Sequence, residues 1–148
     1  MVLSQKTQYA LRAIFDLALH HDEGARKISQ IAAAQAVPHR FLEVIMHEMK
    51  HQFVAAKRGR RGGYSLLRDP AELSVGDVIR FIQGPIALVQ CSVDAGKTDC
   101  SLAGACVFRP LWAEAEEAVR RVYDSATFQD LVEQERRRMA RQAQNYAI

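Results

Sequence analysis

The sequence lacks an apolar run approaching the ~20 residues that a membrane span requires. The first residues, Met1 to Lys6, also lack the apolar core of a secretory signal peptide. Internal repeats and low-complexity tracts are likewise missing. We therefore expect a globular cytoplasmic protein, and its 148 residues, 49% of them hydrophobic, are sufficient for one domain with an appended element.

Cysteine is scarce, and all three copies (Cys91, Cys100 and Cys106) lie in one short segment. An odd number argues against a disulfide framework. The chain has no CxxC motif, and the spacing of its cysteines and histidines does not indicate a catalytic pair. A thiol oxidoreductase is therefore disfavoured, and we do not expect an enzyme. The Cys91-x8-Cys100-x5-Cys106 spacing leaves two interpretations open, an iron–sulfur cluster or redox thiols. Zinc ranks third, because the closely spaced cysteine pairs typical of structural zinc sites are missing.

Acidic residues are few in the first half of the chain. Residues 1–68 contain 11 Lys and Arg against 5 Asp and Glu, a net +6, whereas residues 69–148 contain 9 against 12, a net −3, and the two sums recover the total of +3. Positive charge is densest between His39 and Arg68. This asymmetry indicates a polyanionic partner for the first half.

The apolar spacing predicts three helices before residue 53. The first covers residues 7–20, with its apolar residues at intervals of three and four. The second is short, covers residues 30–35 and is capped by Ser29. The third begins at Pro38 and continues to about Gln52, with Phe41, Leu42, Ile45, Met46 and Met49 predicted to be buried.

A basic β-hairpin is predicted to follow these helices. Residues 53–57 and 64–67 are typical of strands, and residues 58–63 form a glycine-rich turn that carries Arg58, Arg60 and Arg61. This order predicts a winged helix-turn-helix, in which the third helix enters the major groove of DNA. The expected fold is mainly α with a small β-wing and a long C-terminal dimerisation helix.

The remainder of the chain is predicted to be helical around the cysteine segment. Ser74 and Asp77, and later Thr127 and Asp130, have the spacing of helix capping boxes. A long helix from Pro110 to about Tyr123 has an apolar stripe too wide for one small domain to cover, which predicts a homodimer. We expect a DNA-binding domain at 1–83, a cysteine loop at 84–109, and the dimerisation and C-terminal helices at 110–148.

The predicted DNA-binding residues lie on the third helix and on the wing. Arg40 is suited to bidentate contact with guanine, and Glu43 to accepting from cytosine N4. The wing arginines are suited to phosphates or a narrow minor groove, although a solvated, solubilising surface is the alternative for both groups. The full predicted set is Lys6, His39, Arg40, Glu43, Lys50, Arg58, Arg60 and Arg61.

Four motifs together resemble the Rrf2 family of bacterial winged-helix transcription regulators, which includes IscR, NsrR and RirA. They are residues 3–13 (LSQKTQYALRA), the wing RGxxGGY at 58–64, GPIALVQC at 84–91 and CxxRPLW at 106–112. The resemblance covers nearly the whole chain. It implies a homodimeric repressor or activator that binds promoter DNA.

The resemblance also implies a 2Fe–2S or 4Fe–4S cluster on Cys91, Cys100 and Cys106, whose state changes DNA affinity in response to iron supply, nitric oxide or oxidants. This sequence departs from the family at the fourth ligand. Arg109 stands where some members have a ligand histidine, and Gln8 where others use a carboxylate of the partner's first helix. Arg109 cannot bind iron, which leaves Asp94 and Asp99 as local candidates.

Overall fold

The computed structural model describes residues 1–93, 100–102 and 104–147. Its helices and strands are α1 (Gln5–Leu19), α2 (Ile28–Gln35), α3 (His39–Met49), β1 (Val54–Lys57), β2 (Gly63–Leu66), α4 (Val75–Gln83), α5 (Gln90–Val93), α6 (Arg109–Ser125) and α7 (Phe128–Tyr146). The predicted mainly helical fold with a small β-wing is confirmed. Within the described ranges, no helix has both the length and the apolar character needed to cross a membrane.

Helix α1 lies at the centre of the hydrophobic core and packs against α2, α3, α4 and α7. It begins two residues earlier than predicted, because the Ser4 side chain accepts a hydrogen bond from the Thr7 amide and so caps the helix. Its inward positions, among them Ala10, Ile14 and Leu17, are buried. The amphipathic spacing therefore identified the core face of α1 correctly.

The predicted ends of α2 and α3 are shifted. Helix α2 begins at Ile28, since the Gln30 side chain accepts from the Lys27 amide at 2.9 Å, and Ser29 lies in the first turn instead of capping it. Helix α3 ends at Met49, three residues before the predicted end, because the chain turns at His51, which has a left-handed φ of 70°. The turn leads directly into β1.

The predicted burial of Phe41 is wrong: its side chain is 62% exposed. Leu42, Ile45, Met46 and Met49 are buried, and they complete the inward stripe of α3 by themselves. Phe41 lies about 100° around the helix from Leu42 and so falls at the edge of this stripe. Its ring lies against Tyr9 of α1, with 6.3 Å between centroids.

The wing is a two-stranded antiparallel hairpin in which Val54 pairs with Leu66 and Lys57 with Gly63. A third backbone segment extends it, since Arg26 and Tyr64 exchange both of their backbone hydrogen bonds, at 2.8 and 2.7 Å. At Gly63 an added Cβ would lie 2.4 Å from the Arg26 carbonyl oxygen. Only glycine permits this close approach. Gly63 therefore allows the wing to pack against the α1–α2 connection.

A buried carboxylate joins these elements. The Asp16 side chain on α1 is 1% exposed and accepts from Arg26 Nε at 3.0 Å and from Gln35 Nε2 at 3.3 Å. His20 Nδ1 lies 3.8 Å from the same carboxylate. Asp16 thus binds the α1–α2 connection and the end of α2, and through the backbone of Arg26 it also supports the wing.

Helices α4, α6 and α7 complete the structure, and both predicted capping boxes are present. The first turns of α7 enter the core through Phe128 and Val132, both fully buried. Arg80 of α4 donates to Asp124 of α6 at 2.6 Å. The winged domain is therefore packed against both C-terminal helices.

We predict that Asp16→Ala lowers the free energy of unfolding by about 3 kcal/mol, because it leaves the mostly buried Arg26 guanidinium without its partner. Urea denaturation measures the loss. The matched control is Glu48→Ala, which breaks the exposed Lys6–Glu48 pair and should cost less than about 1 kcal/mol. Equal losses in the two variants would contradict a structural role for the buried pair.

Candidate DNA-binding surface and cysteine segment

The outer side of α3 presents a polar and largely basic surface. Arg40, Glu43 and His47 are exposed, and Lys50 follows at the end of the helix. His39 Nδ1 lies 3.6 Å from the Glu43 carboxylate one turn away. The arrangement leaves Arg40 and Lys50 without a salt bridge to any described residue, so their charge is available to a polyanion.

The tip of the wing presents the second basic group. Arg58, Arg60 and Arg61 are all exposed and form no salt bridge within the described part of the chain. The turn is tight: the Gly62 amide donates to the Gly59 carbonyl at 2.9 Å, and a Cβ on Gly62 would lie 2.2 Å from the Lys57 carbonyl oxygen. Glycine at position 62 therefore allows the turn that projects the three arginines.

Lys6 is differently placed from the other predicted DNA-binding residues. Its amine on α1 forms a salt bridge with Glu48 of α3 at 2.5 Å, and both side chains are exposed. A phosphate near Lys6 would therefore have to share the amine with Glu48. The pair also fixes the first turn of α1 beside the last turns of α3.

The cysteines are free in the structure. Cys91 lies on α5 and Cys100 in the following segment, both exposed, while half-buried Cys106 lies three residues before α6. Asp94 and Asp99 lie outside the described residues. Gln8 is exposed, and its side-chain amide donates to the Leu3 carbonyl.

The donor set suits a soft metal centre in its chemistry, because three unpaired thiols become thiolate ligands on losing their protons. An assembled site is not visible, however: the described residues contain no group of three His, Cys, Asp or Glu side chains close enough to hold a metal ion. The thiols are therefore available for either of the two chemistries that the sequence left open.

Glu116 is a functional candidate that the sequence analysis missed. Its side chain on α6 is 6% exposed, and it accepts from the Leu88 amide at 2.8 Å. Burial raises the pKa of this carboxyl, but hydrogen bonds from the Leu88 amide, the Ser92 hydroxyl and the Val89 amide, together with the charge of Arg120, bring the pKa below its ordinary value. Glu116 thus holds the backbone that leads into Cys91.

A signal for Glu116 was present in the sequence. Trp112, Ala115 and Val119 belong to the apolar stripe of α6, and position 116 falls on the same side of the helix. A charged residue in such a stripe requires a partner. The partner is a set of backbone amides, which no side-chain pattern reveals.

Helices α1 to α3 followed by a basic hairpin define a winged helix-turn-helix protein, the architecture of many transcriptional regulators. A family model named Rrf2 and described as an iron-dependent transcriptional regulator matches residues 3–134. The chain belongs to the Rrf2 family, as the sequence resemblance indicated.

Individual relatives agree with this assignment. A putative HTH-type transcriptional regulator, rrf2-like, of Rhodobacter capsulatus is 38% identical over 141 residues, covering 88% of this chain and 92% of the relative. The regulator NsrR of Geobacillus kaustophilus is 37% identical over 134 residues, 90% of each chain. The solved structure of CymR, the global cysteine regulator of Bacillus subtilis, superposes with a TM-score of 0.76 at 31% identity, covering 90% of this chain and 97% of CymR. These relatives are named as regulators, not as enzymes.

We predict that Glu116→Gln reduces stability at pH 7 by about 1 kcal/mol, because backbone amides bind a carboxylate more strongly than a neutral amide. A carboxyl with a lowered folded pKa contributes stability above its unfolded value, near 4.5, and the contribution is lost as the pH falls through the folded pKa. The difference between the two proteins should therefore shrink between pH 7 and pH 3 in urea titrations. Exposed Glu114→Gln on the same helix is the control, and a pH-independent difference would contradict the assignment.

Proposed function

We propose that this regulator contacts promoter DNA with the outer side of α3 and with the tip of the wing. The observation that carries the proposal is the set of exposed arginines, Arg40, Arg58, Arg60 and Arg61, which lack salt bridges to the described residues. These cations can neutralise phosphates of duplex DNA. A helix fits into the major groove, and the adjacent hairpin can reach the neighbouring backbone or minor groove.

The proposed residue roles follow from side-chain chemistry. Arg40 binds guanine O6 and N7 in the major groove, and Glu43 accepts from cytosine N4. His39 and Lys50, at the two ends of α3, and Lys6 on α1 contact phosphates, which set the register of the protein on the duplex. The wing arginines bind phosphates or enter a narrow minor groove.

We predict different losses from the two basic groups. Arg40→Ala should cost about 1–3 kcal/mol on the specific site and relax its sequence preference, because a base contact is removed. Arg60→Ala should weaken binding to all duplexes and lower the slope of log K against log salt by about 1. Fluorescence anisotropy across a salt series measures both, with exposed Arg141→Ala on α7 as the control. Equal losses from Arg40→Ala on every sequence would contradict base readout.

We further propose that residues 84–109 sense a signal through an iron–sulfur cluster held by Cys91, Cys100 and Cys106. The support is the donor set, three free thiols in one segment, and membership of a family described as iron-dependent. Such a cluster makes a site responsive to iron supply, oxidants or nitric oxide. Glu116 connects this segment to α6 by holding the backbone before Cys91.

A cluster-free thiol switch is the second candidate, because Arg109 and Gln8 stand where family members supply a fourth cluster ligand. Arg109 cannot bind iron, and the amide of Gln8 is a poor iron ligand. In this mechanism peroxide oxidises two thiols to one disulfide and is reduced to two waters. Exposed Cys91 and Cys100 are accessible to such an oxidant.

Anaerobic purification with visible absorption, iron and acid-labile sulfide assays distinguishes the two mechanisms. We expect broad visible absorbance with iron and sulfide in the wild type, and loss of all three in Cys106→Ser, because one thiolate ligand is removed. Ser101→Ala, an exposed substitution in the same segment, should retain the signal. Colourless protein that resists reconstitution and binds DNA in a peroxide- and dithiothreitol-dependent manner would establish the thiol switch instead.

We also propose that residues 110–148 form a homodimer through α6. Leu111 and Val122 are more than half exposed, and Val122 lines a shallow depression together with Ala118, Val119 and Tyr123. A second copy of the same helix covers such a stripe. The resulting twofold symmetry places two α3 helices against a palindromic site.

A further inference from the structure

The outer side of α3 contains an apolar residue that the proposed DNA contacts do not use. Val44 is 62% exposed, although Leu42, Ile45 and Met46 around it in sequence are buried. It is also absent from the set of residues that pack on the hydrophobic core. Val44 therefore does not contribute to the core, and its side chain is available for a contact outside it.

Helix geometry places Val44 in the middle of the outer side. At about 100° per residue, Val44 lies about 40° from Arg40 and about 60° from His47, and about 140° from buried Met49. Exposed Phe41 differs, because it lies beside α1 with its ring against Tyr9. Val44 therefore stands next to Arg40 on the surface that would face the major groove.

The major groove offers one apolar group to such a side chain, the 5-methyl of thymine. Valine suits this contact because its branched Cβ is restricted to essentially one rotamer in a helix, so little conformational freedom is lost on binding. A protein partner fits poorly, since the apolar surface consists of Val44 with Phe41 one turn before it and is bordered by Arg40, Glu43 and His47. The core of a protein interface is larger and depleted of charged residues.

We propose that Val44 is a specificity-determining residue that contacts the 5-methyl group of a thymine beside the base bound by Arg40. The inference rests on the proposed function, because it requires α3 to lie in the major groove. It adds a preference for a thymine at one position of each half-site, independent of any hydrogen bond.

The test uses duplexes selected from a random pool by the full-length protein, with and without anaerobic reconstitution. Each thymine of the selected site is then replaced in turn by deoxyuridine, which removes only the methyl group. We expect one position per half-site at which the wild type loses about fourfold in affinity, the amount expected for one buried methyl group. For Val44→Ala the same replacement should cost less than about twofold, because the shorter side chain keeps at most a partial contact with the methyl group.

The matched control is Val2→Ala, which shortens an exposed valine that is not on α3 and should keep the fourfold methyl effect. Alanine is a better helix former than valine, so Val44→Ala retains the fold. A methyl effect that stays fourfold in Val44→Ala, or no methyl effect in the wild type, would overturn this inference while leaving DNA binding intact. Failure of the wild type to select any duplex would overturn the proposed function as well.

Discussion

The structure depends on one buried ion pair, that of Asp16 and Arg26. A carboxylate in a hydrophobic core is tolerated only if charged and hydrogen-bonding partners come to it. Arg26 and Gln35 supply them from the α1–α2 connection and from the end of α2. Since the backbone of Arg26 also pairs with Tyr64 of β2, the position of the wing follows from the same carboxylate. One buried charge on α1 therefore orients both elements that flank α3.

Polar contacts also connect the winged domain to the C-terminal helices. Arg80 of α4 bridges Asp77 and Asp124, and the Asp124 carboxylate lies directly against Gly76, in space that a side chain at position 76 would occupy. Farther along α6, Glu116 holds the backbone before Cys91. Helix α6 thus contacts α4 at its C-terminal end and the backbone before Cys91 near its middle.

Much of the architecture was predictable from local patterns, and the errors have identifiable causes. Apolar spacing and capping residues located the helices to within a few residues because both are properties of a short stretch of chain. Phe41 was assigned to the core because it neighbours the inward stripe of α3, and only the packing of α1 decided which edge of that stripe is covered. Glu116 was missed because its partners are backbone amides from a distant segment. The roles of the predicted DNA-binding residues and cysteines stay predictions.

The sequence by itself determined the order of the helices and the hairpin, the concentration of positive charge before residue 69 and the restriction of cysteine to one segment. These are properties of composition and short-range spacing, and they predict a winged helix-turn-helix. Membership of the Rrf2 family follows instead from the resemblance of four motifs and from the family model that matches residues 3–134. The tertiary structure decided which side chains are covered: it buried Asp16 with Arg26, placed Glu116 under the backbone before Cys91 and left Val44 exposed beside Arg40. Local spacing predicts which side of a helix faces inward, but the partners of a buried charge and the covered edge of an apolar stripe depend on elements far apart in the chain, and local patterns do not specify them.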